Sequence, residues 1–262
     1  MTPDERRDAL ASVAAEVSSC TRCPLHSGRT RAVPGDGHPD TEVVFVGEGP
    51  GFNEDRQGLP FVGAAGGLLN EMLAAIGWRR EEVFVTNVVK CRPPGNRDPE
   101  PSEIAACAPF LHRQLEVLDP ALVVTLGRFS LQTFMPGARI GAVHGTHQPL
   151  DPATGATNAL GYAMYHPAAA LRQGGLRDTM LLDMAGVPDA LVEARARRPQ
   201  TISQESAAQT QAAPEQAAAK QTAAETTAAE QPFPAQRPLQ DRAEPVAVAV
   251  EGDDADDQME LF

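Results

Sequence analysis

Residues 42–55 read EVVFVGEGPGFNED. The apolar run Val43 to Val46 stops at Gly47, and the chain then runs through Glu48, two more glycines and a proline before Glu54 and Asp55, which makes three carboxylates within eight residues. A short apolar run bounded by turn residues is the mark of a strand buried on both faces. Glycines permit positive φ and close backbone approach, so the turn that follows is shaped around something small.

The same pattern recurs along the chain. EVFVTNVV, ALVVTLG and LGYAMYH are further strand-like runs, separated by segments with helical spacing. Residues 4–18 read as a helix, and AAGGLLNEMLAAIGW sets Leu68, Leu69, Met72, Leu73 and Ile76 on one face. Residues 101–118 carry Ile104, Cys107, Leu111, Leu115 and Leu118 on one stripe, with Pro109 expected to disturb its middle. GRFSLQTFM and PAAALR read as short helices. Strands that alternate with helices and are apolar on both faces predict an α/β fold, a three-layer α/β/α sandwich around a mostly parallel four-stranded sheet. In such sheets ligands bind beyond the carboxyl ends of the strands. GEGPG, TNVVKCRPP and HPAAALR all fall there, so they are expected to converge on one pocket with the first turn as its floor.

Composition divides the chain near residue 199. Residues 1–198 hold the strands, helices and motifs, whereas 199–262 are rich in Ala, Gln, Thr, Glu and Pro with few bulky apolar residues. Such a segment buries too little surface to offset its ordering entropy and is expected to be a disordered tail. Residues 1–198 carry 19 Lys and Arg against 23 Asp and Glu, the tail 3 against 12, so −9 of the net −13 belongs to the tail. The acidic balance therefore does not exclude a nucleic-acid partner for the folded part, where CRPPGNR and LRQGGLR are Arg-bearing loops. The chain has no apolar run of about eighteen residues and no signal-peptide core at its start, so a cytoplasmic protein with no membrane partner is expected.

Four cysteines, Cys20, Cys23, Cys91 and Cys107, follow the spacing C-x2-C-x67-C-x15-C. Disulfides do not suit a chain without a secretory signal, and a C-x2-C pair in a Pro/Gly loop does not suit unrelated core thiols. Metal binding is the better account, with tetrahedral zinc and an iron–sulfur cluster both open; the wide second pair favours the cluster. Either would staple the N-terminal loop to the exit of the second strand and to the long helix.

GEGPG, TNVVKCRPP and HPAAALR, with the four cysteines threaded between them, together resemble the family 4 uracil-DNA glycosylases, over roughly residues 20–182. The similar family 5 enzymes typically have alanine where this chain has Gly49. The resemblance implies excision of uracil from DNA by cleavage of its N-glycosidic bond, and a [4Fe-4S] cluster on Cys20, Cys23, Cys91 and Cys107. It makes Phe61 the surface on which an everted base stacks and Asn87 the carboxamide that reads uracil, with NH2 to O4 and oxygen to N3–H. Cytosine reverses both polarities and is refused, while thymine's methyl would meet the wall around Glu54. His166 matches the histidine that hydrogen-bonds the departing uracil oxygen, assisted by backbone N–H groups of the turn including Gly49. Glu48 and Glu54 are the candidates for orienting water, with Asp55 a weaker one. Leu171 and Arg172 sit where the family inserts a side chain into the vacated stack and holds phosphate, and Arg177, Arg92 and Arg97 are further phosphate candidates. Lys90, the sole lysine of residues 1–198, adjoins Cys91; it is not placed for Schiff-base attack, so monofunctional base excision without strand cleavage, by a monomer, is expected.

The chain ends in QMELF, which resembles the short peptide by which many bacterial repair proteins hold the DNA sliding clamp, with Gln258, Leu261 and Phe262 as anchors. Two rival readings stand beside the enzyme: a non-catalytic iron–sulfur DNA-binding module of the same fold, and a zinc-stapled hydrolase acting on a nucleotide.

Overall fold

The computed structural model describes residues 1–198. The expected tail, with Gln258, Leu261 and Phe262, lies outside the described residues. In chain order the elements are α1 (Pro3–Ser19), α2 (Leu25–Gly28), β1 (Asp36–Gly37), β2 (Val43–Gly47), α3 (Phe52–Gln57), α4 (Ala64–Ala75), β3 (Phe84–Asn87), α5 (Pro101–Leu118), β4 (Leu122–Leu126), α6 (Arg128–Phe134), α7 (Ile140–Val143), β5 (His147–Pro149), β6 (Leu160–Met164), α8 (Pro167–Ala170), α9 (Leu176–Ala185) and α10 (Val187–Arg197).

The strands form one sheet in the order β1-β3-β2-β4-β6-β5. Its four inner strands are parallel to one another and are the four that the apolar runs predict. The sheet is nevertheless six-stranded, because β1 and β5 pair antiparallel along its two edges. These edge strands are two and three residues long and not buried, so no apolar run announces them. Short polar edges of this kind also discourage pairing with other chains.

Alternation along each inner strand divides the apolar residues between two cores. Phe45, Leu122 and Val124 face α4, α9 and α10 through Leu69, Met72, Met184 and Leu191. Val44, Val46 and Val123 face α1, α5 and α6 through Val17, Leu111, Leu115 and Phe134. Helices on both faces make the expected three layers. The C-terminal pair α9 and α10 was not read from the sequence, although Met180, Met184, Val187, Leu191 and Ala194 recur at helical spacing and are all buried.

Pro109 does not divide α5, which runs unbroken from Pro101 to Leu118. An interior proline costs about 3 kcal/mol. The same helix buries Phe110, Leu111, Leu115 and Leu118, each contributing about 1.5–3 kcal/mol, so packing outweighs the local penalty.

The register aligns the functional ends of the strands. Gly47 lies opposite Asn87, Val46 opposite Thr125, and Leu126 opposite Met164. The turns that leave β2, β3, β4 and β6 therefore open on the same side of the sheet.

Candidate active site

A cleft of about 490 Å³ lies beyond those four strand ends. Phe61, Asn87 and His166, which the sequence places on three separate segments, all line it. So do Glu48, Gly49, Glu54, Arg97 and Arg172 from the expected set.

Close approach explains the first glycine of the opening turn. A Cβ on Gly47 would lie 2.5 Å from Asn87 Oδ1 and 2.7 Å from Phe61 Cζ, so only glycine lets these two side chains meet over the strand end. Phe61 itself is buried and has φ of +55°, a backbone state that bulky residues rarely adopt and that its surroundings must impose. Its ring centroid stands 5.6 Å from that of His166.

Glu54 does the imposing. Its Oε1 accepts hydrogen bonds from the backbone N–H groups of Val62 and Gly63, each at 2.9 Å, which fixes the loop immediately after Phe61. Asp55 is buried but points elsewhere: its Oδ1 accepts from the Thr30 N–H at 2.9 Å and it does not line the cleft. Glu48 lines the cleft, and its pKa is raised, chiefly by burial and then by Asp98, against the pull of Arg128 and Arg172. The three carboxylates of the turn thus have three different surroundings.

Asn87 is 1% exposed, and its Oδ1 is buried with no hydrogen-bond partner among the described residues. An orphaned buried acceptor costs about 1–3 kcal/mol, a penalty that a ligand donor would relieve. Behind it Lys90 is fully buried, and its Nζ donates to the Asn87 carbonyl at 2.8 Å, to Thr86 Oγ1 at 2.6 Å and to Gln114 Oε1 at 2.7 Å. Burial brings its pKa down to about 7, with Cys107 opposing. Lys90 does not line the cleft.

His166 follows β6 and caps α8, its Nδ1 accepting from the Ala168 N–H at 3.2 Å. Burial lowers its pKa to about 4, against the Glu54 carboxylate and with help from Arg172. The ring is therefore neutral at pH 7. Because Nδ1 accepts, the single proton resides on Nε2, which makes that atom a donor. Gly127, at φ of +86°, allows the turn after β4 to pass the ring; a Cβ there would fall 2.8 Å from His166 Cβ.

The cationic candidates separate as clearly. Arg172 lines the cleft and forms no ion pair among the described residues. Arg97 is held by Glu103 at 2.7 Å, and Arg177 pairs with Glu71 and lies outside the cleft lining. Leu171 is 54% exposed. Sequence reasoning missed Arg128 and Tyr165, which also line the cleft. Both were findable by position, since each stands just beyond the end of an inner strand.

All four cysteines line a second, smaller cavity between α1, α5 and the exit of β3, and none is disulfide-bonded. Donors point at three of the sulfurs: Arg29 Nη1 at 3.2 Å from Cys91 Sγ, the Lys90 N–H at 3.3 Å from Cys107 Sγ and the Arg22 N–H at 3.5 Å from Cys20 Sγ. Burial pushes the Cys107 thiol up to about 11, against Lys90, and raises Cys91 against Arg29. Converging thiols that resist ionisation by themselves, yet carry thiolate-directed donors, suit a metal centre whose positive charge would hold them deprotonated. No group of three histidine, cysteine, aspartate or glutamate side chains is arranged for a single ion among the described residues. Nor is any helix among them long and apolar enough to cross a membrane.

Comparison with known proteins agrees with this geometry. The family model of the uracil DNA glycosylase superfamily matches residues 34–184. The chain is 43% identical over 194 residues to the type-4 uracil-DNA glycosylase of Sulfurisphaera tokodaii, covering 71% of this chain and 86% of that one. It is 46% identical over 176 residues to the type-4 enzyme of Archaeoglobus fulgidus, covering 65% and 87%. Against the type-4 enzyme of Thermotoga maritima it is 49% identical over 146 residues, covering 56% and 76%.

Proposed function

We infer the chemistry of the cleft from one premise: the chain belongs to the uracil-DNA glycosylase superfamily and, within it, to the type-4 enzymes, DNA N-glycosylases that hydrolyse uracil from DNA. The residues we assign to that reaction are Phe61, Asn87, His166 and Glu48. Uracil stacked in a duplex is out of reach, so the base must swing out into the cleft. Phe61 gives it a flat apolar surface. Asn87 reads its edge, and the unpartnered Oδ1 is the acceptor that N3–H of uracil would satisfy. Cytosine presents an acceptor at N3 and would leave that oxygen unpaired, which supports selectivity by the penalty of burial rather than by attraction alone.

As the C1′–N1 bond breaks, its electron pair moves to uracil and negative charge gathers on O2. His166 donates from Nε2 to that oxygen as a neutral group, so no proton need be transferred to stabilise the leaving base. Water adds to C1′ from the opposite side, and the proton it loses passes through solvent to the departing uracil anion, giving free uracil and a hydroxyl on C1′. We assign Glu48 to orient that water, because Glu54 already devotes Oε1 to the Phe61 loop. Glu54 then acts as a positioning residue. Backbone N–H groups around Gly49 assist at the uracil oxygens, Arg172 holds phosphate and the exposed Leu171 enters the vacated stack. Lys90 lies outside the cleft lining, which supports a monofunctional reaction that leaves an abasic site.

Cys20, Cys23, Cys91 and Cys107 would hold a [4Fe-4S] cluster. When bound it supplies a staple between α1, α5 and the end of β3 that carries Asn87, and no step of the hydrolysis is assigned to it. We further propose residues 1–198 as the catalytic domain of a cytoplasmic monomer and 199–262 as an acidic tether whose Gln258, Leu261 and Phe262 engage the sliding clamp. Deleting residues 258–262 should abolish clamp pull-down with uracil excision intact; undiminished pull-down retires the tether.

The observation that carries the reading is the convergence of Phe61, Asn87 and His166 on one cleft with a free acceptor and a fixed donor. Release of free uracil from a uracil-containing oligonucleotide tests it. The wild type should release uracil, and His166→Ala should do so roughly 100- to 1000-fold more slowly, as for loss of one preorganised donor. Equal rates would overturn the assignment. DNA binding without any uracil release would favour the non-catalytic module.

A further inference from the structure

Beside the cleft, on the first residue of α3, Phe52 is 52% exposed although it is a large apolar side chain. It is not left over from the core. Two guanidinium groups lie against its ring, Arg92 at 5.2 Å and Arg56 at 5.6 Å from the centroid. Unlike Arg97 and Arg128, neither of these arginines forms an ion pair among the described residues. Arg92 is instead steadied by a hydrogen bond from its Nε to Asn96 Oδ1 at 2.7 Å. Gly51, immediately before Phe52, and Asn96 both line the cleft, so the assembly stands at its rim.

We propose that Phe52, Arg56 and Arg92 form a second, external base site: a stacking platform for the nucleobase next to the uracil on the same strand. The chemistry matches one ligand class. An exposed aromatic ring offers a face to any base, guanidinium planes stack on bases as well, and unpaired positive charge next to them follows the phosphate backbone. A neighbouring base can reach such a platform only if it leaves its own stack, which is easy in a single strand. The site therefore favours single-stranded or locally opened substrates. This rests on the uracil-excision reading, since it needs a strand threaded through the cleft.

The test is a cycle that crosses removal of the ring with removal of the base. End-labelled single strands carry 2′-fluoro-2′-deoxyuridine, which resists cleavage, with either normal nucleotides on both sides or an abasic spacer on the 5′ or the 3′ side. Wild-type protein should lose roughly five-fold or more in Kd when the spacer is on one of the two sides. Phe52→Ala should show that loss on the intact strand and no further loss with the spacer, and Phe52→Trp should bind as the wild type does. Losses that multiply independently, or wild-type affinity in Phe52→Ala, would overturn the platform. A wild type that neither binds the uracil strand nor releases uracil would instead overturn the parent reading.

Discussion

Acidifying the protein from pH 7 to pH 5 tests the buried, neutral state of His166. In the unfolded chain the imidazole titrates near 6.5, whereas in the folded protein burial, opposed by Glu54 and aided by Arg172, lowers it to about 4. Between those values the unfolded state binds more protons, so stability falls as pH drops below about 6.5 and the loss is complete near 4. At pH 5 the two equilibria differ by about 1.5 log units, a loss of about 2 kcal/mol; over the whole window it approaches about 3 kcal/mol. Protonation would also set an Nδ1–H against the Ala168 N–H that now donates to that atom. His166→Gln retains an acceptor without a titrating group. Urea unfolding of both proteins at pH 7 and pH 5 isolates the difference, since the other titrating groups are shared. The wild type should lose about 2 kcal/mol more than the variant. Equal losses would mean that the folded imidazole titrates as it does in solution, and the neutral-donor mechanism would fail with it.

Three further changes probe neighbouring groups. Glu48→Gln should depress kcat well beyond any rise in KM, because a water-orienting group acts at the chemical step; equal effects on both would reject that role. Asn87→Ala should lower kcat/KM on uracil by about 10- to 100-fold, the worth of the lost edge contacts, and narrow the discrimination against cytosine, measured on matched oligonucleotides. Glu54→Ala leaves the Val62 and Gly63 N–H groups without their acceptor, so about 2 kcal/mol or more of stability should be lost along with excision; a variant with unchanged Tm and turnover would show that the Phe61 loop holds itself.

What could be read in the sequence was whatever depends on order along the chain. Inner strands betray themselves because both faces are buried, and that one fact fixes the layers, the parallel sheet and the side on which ligands bind. Asn87 and His166 stand at or just past a strand end, whereas Phe61 lies beyond α3 and came into view, as did the roles of all three, through the resemblance of their motifs to the family 4 enzymes. Roles that depend on partners across space were not accessible. Glu48, Glu54 and Asp55 look alike in GEGPGFNED, and only the fold gives Glu54 to the Val62 and Gly63 amides and Asp55 to Thr30. Arg97 and Arg177 likewise look like free cations until Glu103 and Glu71 are found beside them. Gly47 shows how the two kinds of information meet. A glycine at a strand end reads as a turn, but here it is required by clearance, since a methyl group would collide with both Asn87 Oδ1 and Phe61 Cζ. Gly47→Ala should consequently damage the site more than the sheet: excision should fall sharply while Tm changes modestly, because the nearest collisions are with the stacking ring and the reading carboxamide. A variant that unfolds outright, or one that retains full activity, would show that the glycine serves the strand and not the cleft.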